Sequence, residues 1–127
     1  MKPLDELRLM ELVSDYQSLL PADHPLRDTA ALVAEWTTRF GQNGQLHTAH
    51  APGCERCGQT GYRGRLALHE LLVTSADLRH QIQSRARPQQ LQLAATAEGM
   101  RTLRQDGIEK VLQGLTSLAE VRSASNL

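Results

Sequence analysis

Cys54 and Cys57 are the only cysteines of the chain, and a C-x-x-C turn sets two sulfurs on one side of a tight knuckle. That spacing suits a tetrahedral zinc ion, but zinc wants four ligands and there is no second C-x-x-C. The string H-T-A-H-A-P-G-C-E-R-C places His47 and His50 just upstream, so a Cys2His2 set can be written from eleven consecutive residues. Bound zinc of that kind would stabilise the loop by about 10 kcal/mol or more. Only three residues separate the two pairs, shorter than common zinc-finger spacings. The preferred reading is therefore an empty knuckle with reduced thiols, the zinc site standing as the alternative. A redox dithiol would want a βαβ context, which the pattern does not provide. His47 and His50 taken alone read as solvated loop residues, and His24, His69 and His80 as structural. No histidine is paired with a nucleophile and an orienting acid, so a hydrolase site is not readable.

The composition narrows the classes. Fourteen basic and fourteen acidic residues leave no net charge, which argues against binding dominated by nucleic-acid phosphates. The hydrophobic fraction is 40% but aromatics are 3%, so a core built mainly of Leu, Ala, Val and Ile is expected. No run approaches the ~20 apolar residues that span a bilayer. The start, MKPLDELRLMELV, mixes acids with apolar residues and does not read as a signal peptide. The expected compartment is a reducing cytoplasm, with no direct membrane insertion.

The knuckle must be held by the elements around it, and these read as mainly α. Leu4, Leu7, Met10, Val13 and Tyr16 recur at helical spacing from about Pro3 to Leu20, with Pro3 in the first turn. Pro25 to Phe40 reads as a second helix, capped by Asp23 or His24 and stopped by Gly41. These two form an N-terminal hairpin. Gly41 to Ala51 is loop-like, YRGRLAL looks extended, and HELLV is ambiguous between strand and helical turn. Tyr62 is expected to pack over the knuckle.

A C-terminal bundle of short helices follows. Thr74 with Asp77 reads as a capping box, Pro88 as a first turn with Leu91, Leu93 and Ala94 inside, and Gly99 as a stop. Thr102 with Gln105 is another box. Gly107, inside that helix at a cost of about 1 kcal/mol relative to Ala, implies close packing against a neighbour. Gly114 ends the helix, Ser117 with Glu120 caps the last one, and SASNL reads as a frayed tail. The expected division is 1–73, hairpin plus degenerate knuckle, and 74–127, helical subdomain. Arg63, Arg65, Arg79, Arg85, Arg87, Arg101 and Arg104 read as solvated faces balanced by Glu70, Asp77, Glu98 and Asp106, or else as an interface to a neighbouring subunit.

Two stretches, GCERCGQTGYRGRLALHELL (53–72) and EGMRTLRQDGIEKVLQGLTSLAEV (98–121), resemble the C-terminal region of the hexameric ATPases that drive type II secretion and type IV pilus assembly. The resemblance implies that the first stretch belongs to a zinc subdomain and the second to the closing helices of the motor. It also implies an upstream cysteine pair, where this chain has Val13 and Tyr16. A G-x-x-x-x-G-K-[ST] loop is missing, so no nucleotide is expected.

The leading reading is a non-catalytic interaction module, with partners among the subunits of a secretion or pilus machine, self-association included. Alternatives are a fragment of an active ATP-hydrolysing motor and a small zinc-knuckle nucleic-acid-binding module. The initial Met and helical start favour an independent reading frame over a fragment. Zero net charge speaks against nucleic acid.

Overall fold

The computed structural model describes residues 2–49 and 53–125, and within them the protein is mainly helical. Helix α1 spans Glu6–Gln17. It begins three residues later than expected because the Asp5 carboxylate accepts the Arg8 N–H at 2.8 Å, satisfying a donor of the first turn. Pro3 is not in the helix. Lys2–Pro3 forms strand β1, paired antiparallel with β2, His47–Thr48, and the Leu4 N–H extends the ladder to the Leu46 carbonyl at 2.9 Å. A short two-strand edge tolerates proline, which lacks an N–H to donate.

Leu12, Val13 and Tyr16 of α1 are buried and Leu9 packs beside them, whereas Leu7 and Met10 are 75% and 42% exposed. The burial face is thus narrower than the apolar run. The expected second helix is two elements. His24 Nδ1 accepts the Leu26 N–H at 3.1 Å and starts a 3-10 turn, Pro25–Arg27. Asp28 then accepts the N–H groups of Ala30 and Ala31 and starts α2, Thr29–Phe40, which Gly41 closes. The two carboxylate caps, Asp5 and Asp28, decide both starts.

From residue 53 to the next long helix the chain has a 3-10 turn, Glu55–Cys57, and otherwise no regular element, so YRGRLAL and HELLV form neither strand nor helix. Helix α3, Ala76–Gln83, is capped by Ser75 rather than Thr74. Ser75 Oγ accepts the Leu78 N–H at 3.1 Å and donates to the Glu98 carboxylate at 2.8 Å. Helix α4, Pro88–Ala97, buries Ala95 and Thr96 while Leu93 faces out at 54% exposure.

Helix α5, Leu103–Leu112, carries the expected box: the Thr102 hydroxyl accepts the Gln105 N–H and Gln105 Oε1 accepts the Thr102 N–H. Helix α6, Leu118–Ala124, is capped by Ser117 as expected. The following residue is no frayed end, because Ser125 is 4% exposed and its hydroxyl accepts from Arg104.

One apolar cluster joins α1 and α2 to α5, α6 and Leu46. Aromatics are few but central: Tyr16 and Trp36 meet edge-on at 5.3 Å and 89°, both at most 2% exposed. The buried Gln105 donates through Nε2 to the Tyr16 carbonyl at 3.1 Å, and Arg101 donates to the Tyr16 hydroxyl at 3.0 Å. Thus the end of α1 is seated on the start of α5. Gly107 is where α6 comes closest: a Cβ there would lie 2.9 Å from Val121 Cγ2 and nearer still to Cγ1.

Candidate functional site: the cysteine knuckle

The knuckle is shaped by backbone that ordinary residues resist. Gly53 has φ +91°, and a Cβ on it would press within 2.6 Å of the Gln59 carbonyl oxygen. The 3-10 turn Glu55–Cys57 then reverses through Gly58 at φ +66° and Gln59 at φ +67°, closed by the Gln59 N–H on the Cys54 carbonyl at 2.7 Å. These constraints set the sulfurs side by side, with Cys54 Sγ 3.5 Å from Cys57 Sγ.

Cys57 is the better supported thiol. Its sulfur accepts the backbone N–H of Cys54 at 3.1 Å and of Gly61 at 3.2 Å. Burial by its neighbours pushes this thiol up, but the Gly61 and Cys54 N–H bonds and the Cys54 thiol outweigh it and bring it down to about 7. Cys54 is exposed at the surface.

Two sulfurs on a tetrahedral zinc, each about 2.3 Å from it, lie about 3.8 Å apart, so this pair fits one edge of such a site. The rest of the donor set does not follow. His47 lies in β2 with its Nδ1 buried and without a hydrogen-bond partner among the described residues. Among the described residues, no three His, Cys, Asp or Glu side chains approach closely enough to hold a metal together. His50 lies outside the described residues. The donors described here make half of a closed zinc site.

Tyr62 is 40% exposed and joined to the knuckle through its backbone, both its N–H and its carbonyl bonding Thr60 Oγ1. The Tyr62 hydroxyl donates to Ser117 Oγ at 2.7 Å, tying the outgoing segment of the loop to the cap of α6. The arginine strip divides in two. Arg101 and Arg104 are turned inward, the first onto Tyr16 and the Met100 carbonyl, the second onto Ser125 and, at 3.9 Å, Asp15. Arg63, Arg65, Arg79, Arg85 and Arg87 are exposed and make no ion pair among the described residues. Two of the four acids expected to balance them are engaged elsewhere: Asp106 accepts the His69 N–H and meets Lys110, and Glu98 accepts from Ser75.

Sequence reasoning missed the Asp15–Arg122 pair. Arg122 grips the Asp15 carboxylate through two bonds of 2.8 and 2.9 Å, and this bonding holds Asp15 below the usual carboxylate range despite partial burial. No local pattern marks a pair from opposite ends of a chain.

The chain has two lysines, Lys2 and Lys110, which follow Met1 and Glu109, so it contains no Gly-Lys dipeptide. No helix of the described residues is long and apolar enough to cross a membrane.

The family model described as "Type II/IV secretion system protein" matches residues 16–123. Among curated proteins, the chain is 52% identical over 69 residues to a type IV pilus assembly ATPase PilB of Thermus thermophilus, covering 54% of this chain and 8% of that protein. It is 42% identical over 71 residues to the type II secretion system protein HxcR of Pseudomonas aeruginosa, covering 56% and 15%. It is 44% identical over 73 residues to the type II secretion system ATPase E of Vibrio cholerae, covering 56% and 14%. The chain therefore spans less than a sixth of the length of these relatives. No solved structure matches.

Proposed function

This chain belongs to the type II/IV secretion system protein family, and from that premise we propose that it is a non-catalytic docking module related to the C-terminal part of the family's ATPases. The observation that carries this reading is the distribution of polar groups. Inside, Asp15, Arg101, Arg104 and Gln105 are committed to one another, to Tyr16 and Arg122, or to backbone. Outside, Arg56, Arg63, Arg65, Arg79, Arg85 and Arg87, which make no ion pair among the described residues, face solvent together with several large apolar side chains. That is a surface suited to contact rather than to turnover. A phosphate-cradling loop needs a lysine after its glycine, and the lack of any Gly-Lys pair supports the same reading. Its partners would be other subunits of a secretion or pilus machine, met in the cytoplasm.

A second reading, that these residues are part of an active ATP-hydrolysing motor, is favoured by the alignments covering only 8% to 15% of the relatives. Calorimetric titration of the purified chain with Mg-ATP, alongside phosphate release, separates the two. Neither heat of binding nor release above a protein-free blank is expected, and saturable binding or turnover would refute the docking module.

In this reading the knuckle is structural, because the Cys54 and Gly61 N–H groups already support it. Zinc would meet two sulfurs there, with His47 and His50 as the candidates to add nitrogens. Elemental analysis of tag-free protein is expected to give well under one zinc per chain, and Cys54→Ser with Cys57→Ser to cost ~1–2 kcal/mol. One tightly held zinc per chain would show that the site closes.

A further inference from the structure

The knuckle holds its two sulfurs 3.5 Å apart at the surface, Cys54 exposed and Cys57 half-buried. Among the described residues no third His, Cys, Asp or Glu side chain comes close enough to share a metal with them. Sulfurs so placed are open to small reagents rather than committed to a cage. A disulfide needs an S–S distance of about 2.0 Å, so the two have about 1.5 Å left to close.

The same turn also supports the open, reduced form. Cys57 Sγ accepts the N–H groups of Cys54 and Gly61, bonds that suit a thiolate and that a neutral disulfide sulfur largely forfeits. Oxidation therefore works against the local fold, and a disulfide here reverses readily instead of acting as a staple. Its effect has a route outward. Gly61 is followed by Tyr62, whose hydroxyl holds Ser117 at the cap of α6, and then by the exposed Arg63 and Arg65. The Gly61 N–H bond to sulfur is a clasp between the knuckle and that segment.

We propose that Cys54 and Cys57 form a reversible modification site, a dithiol oxidised by low-molecular-weight disulfides of the glutathione class, whose oxidation frees the segment carrying Arg63 and Arg65. First the Cys57 thiolate, its proton lost to water, attacks one sulfur of the reagent. An S–S bond forms between them, the reagent's own S–S bond breaks, and the departing thiolate takes up a proton. Then the Cys54 thiolate, its proton likewise lost to water, attacks Cys57 Sγ, and the second reagent thiolate leaves and is protonated. The protein pair gives up two electrons, and one reagent disulfide becomes two thiols. The chain is thus a target of exchange and not an oxidoreductase, so no βαβ scaffold is required. In a reducing cytoplasm, transient disulfides of this sensing kind are the ones that form.

Purified chain equilibrated with mixtures of reduced and oxidised glutathione at pH 8.5, quenched in acid and weighed before and after alkylation, tests this. The expected product is an internal disulfide, lighter by two hydrogens, that returns to the dithiol in excess reduced glutathione. Cys54→Ser should instead retain one glutathione on Cys57, because no second thiol displaces it. The disulfide should be at least about tenfold easier to reduce in the folded chain than in the same chain unfolded by urea. Trypsin should cut the oxidised chain after Arg63 or Arg65 at least about threefold faster than the reduced chain. Trp36 emission should stay unchanged, so that cutting reports the segment and not global unfolding. Two glutathiones per chain without an internal bond, or a disulfide no easier to reduce folded than unfolded, overturns the proposal. So does cleavage indifferent to oxidation, loss of the whole fold on oxidation, or one tightly held zinc per chain that blocks exchange.

The proposal rests on the zinc-free knuckle of the docking reading but fails separately from it. ATP turnover refutes the docking module and leaves the exchange chemistry standing, whereas a dithiol that never closes removes the modification site and leaves the docking module in place.

Discussion

Replacing Gly107 by alanine should destabilise the protein, and the same replacement in a Val121→Ala background should stabilise it. Gly107 lies inside α5, where alanine is worth about 1 kcal/mol more than glycine through backbone entropy alone. Opposing that gain, the new Cβ would stand 2.9 Å from Val121 Cγ2 and 3.2 Å from Val121 Cβ, and closer than either to Cγ1. Carbon atoms rest about 3.5–4.0 Å apart. Val121 cannot easily retreat, being 2% exposed within the core cluster. Overpacking of this kind costs about 1–3 kcal/mol, so the net change from Gly107→Ala is a loss of about 1 kcal/mol. Val121→Ala alone should cost about 2 kcal/mol for the lost methyls and the space they leave. With both Cγ atoms gone only the 3.2 Å approach to the remaining Cβ is left, which a shift of a few tenths of an ångström relieves, and Gly107→Ala should then return up to about 0.5–1 kcal/mol. The coupling between the two positions is therefore about 1–3 kcal/mol. Urea denaturation followed by the emission of the single tryptophan, Trp36, measures all four corners of the cycle. If Gly107→Ala has the same sign and size in both backgrounds, α6 does not press on α5 as described.

Three further expectations follow from the polar contacts. Alkylation of Cys57, mapped by mass spectrometry across pH, should show a midpoint at about 7; a midpoint at the ordinary thiol value of about 8.5 would mean that the Gly61 and Cys54 N–H bonds do not form in solution. Because this thiol is held below its unfolded value, its contribution to stability is full in alkali and is lost as pH falls through about 7. Asp15→Asn should cost about 1 kcal/mol at neutral pH, and the gap to the parent should close as pH drops below about 4, since the Asp15 pKa is lowered in the folded chain; a gap that persists in acid would point to packing instead. Gln105→Ala should cost about 1–3 kcal/mol in the same denaturation assay, because it strips the buried Thr102 N–H of its acceptor and leaves the Tyr16 carbonyl with backbone donors such as the Leu19 N–H but without its side-chain donor; a loss under about 0.5 kcal/mol would show that water replaces the lost bonds.

What could be read beforehand was local. The Thr102–Gln105 box, the Ser117 cap, Pro88 at a first turn and the Gly114 stop each involve residues within a few positions of one another, where backbone chemistry leaves a direct mark. Proline was ambiguous because its fixed φ suits several elements: Pro3 serves a strand edge and Pro25 a 3-10 turn. The apolar runs overstated burial, since Leu7, Leu71 and Leu93 face solvent at 54% or more. The knuckle was legible as a motif through Cys54, Cys57 and its glycines, but the unequal support of the two sulfurs appears only once Gly61 is placed. Contacts that seat α1 on the later helices join residues 85 to 107 positions apart, and no spacing rule carries such pairings.

The β1–β2 ladder couples the beginning of the chain to the lead-in of the cysteine loop, with Lys2 opposite Thr48 and Leu4 bonded to Leu46. Tension applied at the first residues would shear these few bonds before it loaded α1. Those few bonds are thus the mechanical fuse at that end, parting before the helices take up load.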